Sequence, residues 1–520
     1  MKISYNWLKW YIPEAPTAEK LADIFNYHVA EVENVEHRVF NKEEDWIFDI
    51  KILPNRAHDL LSHQGVAREI ASLLNIKYVD PAPKYKIPVS VKAPAGKSEL
   101  KINVQTHLCR RYMGRIIRGV KIGSSPEWVI KHLESIGQRS INNMVDAANL
   151  LMFNTGQPAH VFDLDKLAEE GLIVRQAKIG EQMITLDNKE VKIGVKDIVI
   201  ADSKNVLGVA GIKGGKTAEV DNKTKNIILE VANFDPVSVR KTAQALNIFT
   251  DARKRFENDL SPELAPYAMR ELSALIMEIC PAAIFEEIVD IYPQKQKERK
   301  LSFSADRISK ILGIKISLKE IENILKRYDF VYNSVVGAPN GTSATEFTII
   351  VPPMRLDLAI KEDMAEEIGR ILGYDRVKGN IQKTDFKPEV NEIYAKICWA
   401  RNKLLEEGYS EVMTYTFCDK GEIEVQNSAS DKKFLRTNLT DGLKESLKLN
   451  QLNAPFLGID QLKVFEIGTV FRKGREEIHI AFGDKKEIKE MTLEDFCEKN
   501  SSPEEHGYFS AEKFLVLAPS

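Results

Sequence analysis

Asp357, Asp363, Glu366 and Glu367 are the residues whose types and spacing point most directly to chemistry. Met364, Ile368, Ile371 and Leu372 recur at helical spacing, so this run is an amphipathic helix. On it Asp363, Glu366 and Glu367 stand at i, i+3 and i+4, positions that share a face. Asp357 lies just upstream, behind Pro352-Pro353, where a loop can fold it back onto the same point. Four converging carboxylates repel, and a hard cation with oxygen ligands, such as Mg²⁺, relieves that repulsion. The same spacing also suits a solvated acidic face whose first-turn acids favour the helix dipole, and spacing alone favours that plainer reading.

A second constellation precedes it. Ala210-Gly211-Ile212-x-Gly214-Gly215 has the look of a phosphate-cradling loop but lacks the Lys-Ser/Thr of a P-loop. A turn is the simpler reading, although its glycines would also let backbone approach a ligand closely. His160 sits between two turn-prone segments, where a lone histidine is more often a structural hydrogen-bond partner than a catalyst. Glu230 interrupts the apolar strand Ile227-Ile228-Leu229-x-Val231-Ala232. Its carboxylate is either buried and in need of a partner or turned outward on the alternating face. Spacing leaves both open.

The elements that must position these groups are readable in outline. Residues 1–40 read as a short strand and then a helix with Thr17 at its N-cap and Leu21, Ile24 and Phe25 on its apolar stripe. Val66, Ala67, Ile70, Leu73 and Leu74 make a second amphipathic helix. Pro81-Ala82-Pro83, Pro88 and Pro94-Ala95-Gly96 mark a linker. Ser317-x-x-Glu320 is a capping box before Ile321, Ile324 and Leu325. Asn340-Gly341 suits a tight hairpin turn before a strand at 347–351, and a further strand is expected at 413–417.

Bulk composition narrows the class. The chain has 520 residues, enough for several domains, with 43% hydrophobic and 29% charged residues and a net charge of −3. A near-neutral balance excludes a protein that grips nucleic acid over its whole surface. Five scattered cysteines without a CxxC pair fit a reducing compartment and no structural zinc. No apolar run is long enough for a membrane span, and the first residues lack the apolar core of a signal peptide, so a cytoplasmic location is expected.

The ordered motifs carry a resemblance. Pro352-Pro353-x-Arg355-x-Asp357, Glu362-Asp363-x-x-Glu366-Glu367-Ile368-x-Arg370 and Gly373-Tyr374-Asp375 resemble the bacterial phenylalanyl-tRNA synthetase β subunit. So do Met-Lys-Ile-Ser-Tyr-Asn-Trp-Leu at the start and the run from Asn142-Asn143 through Gly156-Gln157-Pro158-x-His160 to Thr250-Asp251-Ala252. The resemblance implies an α+β multidomain chain. Its parts would be an N-terminal α+β domain (1–85), an α/β editing domain (98–290) and a small winged-helix-like α+β module with the acidic helix (300–378). A degenerate class II synthetase core of antiparallel sheet with helices (385–485) and a tail (486–520) would follow. It also implies Asp357, Asp363, Glu366 and Glu367 as ligands of a Mg²⁺ shared with a catalytic α subunit. The implied assembly is an α₂β₂ enzyme that charges phenylalanine tRNA using ATP.

The implied task of this chain is hydrolysis of tyrosine wrongly attached to that tRNA. Glu230 would accept the tyrosine hydroxyl, with His160 near the ester and Asn149 beside it. Thr250, Ala252, Ala210, Gly211 and Gly214 would surround the pocket. A buried group that pairs with the extra hydroxyl discriminates strongly against phenylalanine. The chain departs from the family pattern at three places: Ala148 for a frequent Thr, Arg253-Lys254 for Ser-His, and Asn258-Asp259 for a basic residue and Gly. The second reading is therefore an assembly subunit with a decayed pocket. The family's OB-type RNA-binding insert is missing between Glu33 and residue 48, and residues up to 520 show no match to its anticodon-binding domain. Residues 435–485 lack the Gly-x-Gly-x-Gly-x-x-Arg motif of a working ATP site.

Overall fold

Strand alternation decides the layout around Glu230. In the strand Asn226–Phe234, Ile227, Leu229 and Val231 face one apolar core and Ile228, Ala232 and Phe234 face another. A strand that is apolar on both faces must lie between two layers. It is central in a four-stranded antiparallel sheet, between Cys109–Arg118 and Ala159–Asp163, with Ile284–Ile291 on the outer edge of Cys109–Arg118. The helices Asn143–Thr155 and Leu264–Ile279 contribute Met144, Leu151, Ala268 and Leu272 to one core. A five-stranded sheet contributes Val174, Val199 and Leu207 to the other.

The computed structural model describes residues 1–40, 43–80, 86–92, 99–336, 345–382, 390–428, 430–459 and 461–500. The turn expected at Asn340-Gly341, the proline runs at 81–83 and 94–96, and most of the expected tail lie outside the described residues. Among the described residues, no helix is long and apolar enough to cross a membrane.

Two compact units are present, Met1–Gly379 and Asn380–Ser520. In the first, strands Lys2–Ser4, Glu31–Phe40 and Glu43–Lys51 form a three-stranded sheet. Trp7, Phe25, Phe48 and Ile70 pack with Val129, Leu133 and Phe153, so the N-terminal elements share a core with helices of the following segment. Further on, strands Arg299–Ser304, Thr345–Val351 and Val331–Val336 make an antiparallel sheet. It is covered by helices that begin at Ala305, Leu318 and Lys361. The capping box is formed: the Ser317 hydroxyl accepts from the Glu320 N–H at 3.3 Å, and Glu320 accepts from the Ser317 N–H at 2.9 Å.

In the second unit, Val464–Arg472, Arg475–Gly483 and Ile488–Thr492 run antiparallel, with Ser410–Glu411 added in parallel. The helices Glu392–Glu406 and Leu493–Lys499 pack on them through Trp399, Phe465 and Phe496.

Two expectations need correction. The segment read as α/β pairs its strands antiparallel, with Lys101–Val104 on Gly171–Gln176 as the parallel pair, so it is α+β in the strict sense. Residues 413–416 are not a strand: Met413 and Tyr415 are exposed and have no neighbouring strand to pair with.

Candidate functional site

The inward-facing positions of the central strand bring the second constellation together. Glu230 lies on the same face as Ile228 and Ala232, and in register opposite His160 on one neighbour and Gly114 on the other. The alternative left open by the sequence is resolved: Glu230 is buried, 6% exposed. Among the described residues neither its Oε2 nor the buried hydroxyl of Tyr112 makes a close hydrogen bond, although the two groups are near enough to interact. Burial pushes the Glu230 carboxyl up to about 8, against a weaker opposing pull from Tyr112. Burial lowers His160 to about 4, so its imidazole is neutral near pH 7.

A cavity of about 80 Å³ opens onto these two residues. Gly211, Gly214, Ala252 and Phe256 line it, and Lys213 stands in the same wall. The glycine run is a turn between Val206–Val209 and Lys213–Gly214, as the plainer reading expected. Gly214 is required for a specific reason: a Cβ there would sit 2.5 Å from His160 Cε1 and 2.8 Å from Nε2. The imidazole packs edge-on against Phe162, with ring centroids 4.5 Å apart.

Thr250 organises the rim. It caps the helix Asp251–Phe256 by accepting from the Arg253 N–H at 3.0 Å, and donates to the Ile212 carbonyl at 3.0 Å. The turn is thereby tied to the helix that presents Ala252 and Phe256. Ala210 is buried in the apolar core, and Asn149 is half-buried on its helix; neither lines the cavity. Sequence reasoning missed Phe162, Phe256, Ile200 and Lys213 in the wall. Alternation along Ala159–Asp163 would have found Phe162, which shares a face with His160. A mainly apolar wall with one buried carboxyl, one neutral imidazole and Lys213 can take an aromatic ring that carries a hydroxyl donor.

The acidic helix is arranged differently from expectation. The upstream loop does fold back, but Asp357 and Glu367 meet around a guanidinium. Arg355 Nη2 donates to Asp357 Oδ2 at 2.6 Å and to Glu367 Oε1 at 2.7 Å. Arg370 donates to Glu367 Oε2 at 2.7 Å and also to Glu69, which accepts from Arg56 at 2.8 Å. Asp59 takes Arg56 at 2.7 Å, and His58 Nε2 lies 3.0 Å from Asp357 Oδ1. Burial alone would raise the Asp357 carboxyl, but His58 and Arg355 hold it well below the usual carboxylate range. Against burial, Arg355 and Arg370 likewise hold Glu367 down.

Asp363 instead caps its own helix, accepting from the Ala359 and Ile360 N–H groups at 2.7 and 2.8 Å. Glu366 is exposed, while Glu367, the next residue, is buried. Adjacent helix positions point about 100° apart, so i+3 and i+4 straddle the face instead of converging. Among the described residues, no group of three or more His, Cys, Asp or Glu side chains is arranged to hold a metal ion. The four acids as placed do not form a magnesium cage, because two of them are already neutralised by arginine.

Comparison with known proteins agrees with the motif order. The B3/4 domain matches residues 108–281, the tRNA synthetase B5 domain 301–374, and the phenylalanyl tRNA synthetase beta chain CLM domain 382–487. The "Phenylalanine--tRNA ligase beta subunit" of Carboxydothermus hydrogenoformans is 34% identical over 90% of this chain and 56% of its own length. That of Fusobacterium nucleatum is 32% identical over 87% and 56%. The chain thus spans a little over half the length of these curated relatives. A solved N-terminal fragment of the phenylalanyl-tRNA synthetase beta-subunit from Pyrococcus horikoshii is 18% identical, covering 72% of this chain and 99% of that one, with a TM-score of 0.39. With three family domains in order and relatives matched over nine-tenths of its residues, the chain belongs to the phenylalanine--tRNA ligase beta subunit family.

Proposed function

We propose that this chain is the proofreading and assembly partner of a catalytic α subunit in an α₂β₂ phenylalanine–tRNA ligase. The α subunit activates phenylalanine with ATP, and this chain hydrolyses tyrosyl esters formed in error on phenylalanine tRNA. The observation that carries the reading is the buried Oε2 of Glu230, without a close hydrogen bond among the described residues, beside His160 in a cavity lined otherwise by apolar residues and Lys213. A tyrosyl hydroxyl entering that cavity finds an acceptor, whereas a phenylalanyl ring leaves the carboxyl unpaired. His160, neutral near pH 7, orients the ester or the terminal ribose by hydrogen bonding and carries no charge in doing so. The attacking water is positioned by backbone groups and substrate hydroxyls; no strong base is required.

The second unit supplies the α-facing surface in this reading. Met413, Tyr415, Leu452, Phe456 and Leu457 are apolar or aromatic side chains left largely exposed, the kind of surface an obligate partner covers. For a magnesium ion shared with α, Glu366 is the suited acid. It is exposed and makes no hydrogen bond or salt bridge among the described residues.

The decisive experiment co-expresses the α chain, purifies the complex, and measures both phenylalanine charging and tyrosyl-tRNA deacylation. A complex that charges but fails to clear tyrosyl-tRNA would leave the assembly-only reading. A chain that remains monodisperse and ignores α would defeat both.

A further inference from the structure

A second cavity lies on the other side of the helix Asp251–Phe256, and nothing in the proofreading assignment uses it. It measures about 300 Å³ and is lined by Lys2, Gln138, Lys254 and Arg255 together with Asp49 and Asp251. Arg255 is the unusual member. Its side chain is 1% exposed, and its guanidinium is only partly satisfied. Nε donates to the Leu61 carbonyl at 3.1 Å and Nη1 to the Asp251 carbonyl at 2.9 Å, while Nη2 is buried with no partner among the described residues. The guanidinium also stacks 4.8 Å from the Phe153 ring. An unpaired donor on a buried cation is costly unless something accepts from it.

The other charges fit an incoming anion. Lys2 and Lys254 make no salt bridge among the described residues. Of the two acids, Asp49 accepts from the Met1 amino group at 3.1 Å, and Asp251 accepts from Gln138 Nε2 at 3.5 Å and lies 3.5 Å from Arg255 Nη1. Glu36 is near enough to Lys2 to feel its charge, and Glu33 near enough to Met1.

We propose that this cavity binds a phosphate-class anion, held by Arg255, Lys254 and Lys2. Phosphate presents several acceptor oxygens, and a guanidinium with a spare N–H beside two ammonium groups is matched to that chemistry. Burial lowers the Arg255 guanidinium to about 10 against an opposing pull from Asp251. The anion comes either as a free small phosphate or as a backbone phosphate of bound RNA. The chemistry is the same in both, and the site stands whether or not the proofreading reading does.

The test uses the full chain and its complex with α, with inorganic phosphate as the probe. At fixed low ionic strength, phosphate should raise the unfolding midpoint saturably above an equal ionic strength of chloride, as ligand linkage requires. Lys254→Glu, on an exposed position that folding does not need, should weaken phosphate binding about tenfold or more, the loss expected for one charge-assisted hydrogen bond. Lys2→Glu should act in the same direction. If phosphate competes with phenylalanine tRNA, and Lys254→Glu weakens tRNA retention, the source is the RNA backbone. If tRNA retention is unchanged while phosphate still binds, the source is a free anion. A midpoint that rises no more with phosphate than with chloride overturns the proposal, as does a rise that Lys254→Glu and Lys2→Glu leave intact.

Discussion

Replacing Glu230 by Gln should make the protein more stable, increasingly so as pH rises. In the fold the Glu230 carboxyl is pushed up to about 8 by burial, from an ordinary value of 4.5. A raised carboxyl means the folded state keeps a proton that the unfolded chain releases. Below about pH 4.5 both states hold the proton and Glu230 costs nothing by this route. Between about pH 5 and 8 the unfolded state binds fewer protons, so wild-type stability falls by about 1.4 kcal/mol per pH unit from this one group. The integrated penalty is about 3 kcal/mol at pH 7 and approaches about 5 kcal/mol above pH 9. Glutamine is nearly isosteric and has no such term. The assay is denaturant unfolding of wild type and Glu230→Gln at several pH values from 5 to 8.5. Subtracting the two curves removes every other titrating group. A stability difference that grows with pH supports the buried, unpaired carboxyl. A difference flat across that range would refute it, because an exposed or ion-paired carboxylate has no raised pKa to lose.

Five further outcomes are expected. In the α complex near pH 7, Glu230→Ala should lose roughly two- to tenfold of the preference for tyrosyl over phenylalanyl ester, as one lost hydrogen bond to a neutral carboxyl predicts; unchanged selectivity in a deacylation assay would mean the site is misassigned. Ala252→Trp should block the cavity, and Gly214→Ala should displace His160 because its new Cβ would fall within van der Waals contact of the ring. Both variants should slow deacylation while leaving charging intact. Glu367→Gln and Asp357→Asn should each lower stability by about 3–5 kcal/mol, as for a broken buried pair, and equally in EDTA and in magnesium. Glu366→Gln should leave the EDTA midpoint unchanged and reduce only the magnesium-dependent rise of the complex. The chain alone should show no phenylalanine-dependent pyrophosphate exchange, and adding α should restore it.

What could be read from the sequence follows the range of the interaction. Helix caps were legible, because Ser317 and Glu320 are three residues apart and need no tertiary partner. The glycine turn was legible for the same reason. Glu230 was half legible: the apolar strand was plain, but its face is set by pairing with strands more than 60 residues upstream. The arginine partners of the acidic helix were not legible because they are remote. Arg370 and Glu69 are 301 positions apart, and no local pattern announces that a buried glutamate will meet an arginine from another element. Arg56, Arg355 and Arg370 pair with Asp59, Glu69, Asp357 and Glu367, and that arrangement exists only once the N-terminal elements pack against the acidic helix.

The N-terminal hairpin has an architectural consequence. Glu31–Phe40 and Glu43–Lys51 pair from Glu31 opposite Lys51 out to Phe40 opposite Glu43, so the chain leaves and re-enters the sheet at neighbouring points. The family resemblance implies an extra RNA-binding module in this same interval. A hairpin end is a low-strain place to splice one in, since the cost of closing a longer loop grows only slowly with its length. The ladder nearer the core would keep its register whatever was attached beyond it. This arm of the sheet therefore works as a socket. A compact domain whose own termini lie close together can be grafted there with the Glu230 cavity left untouched.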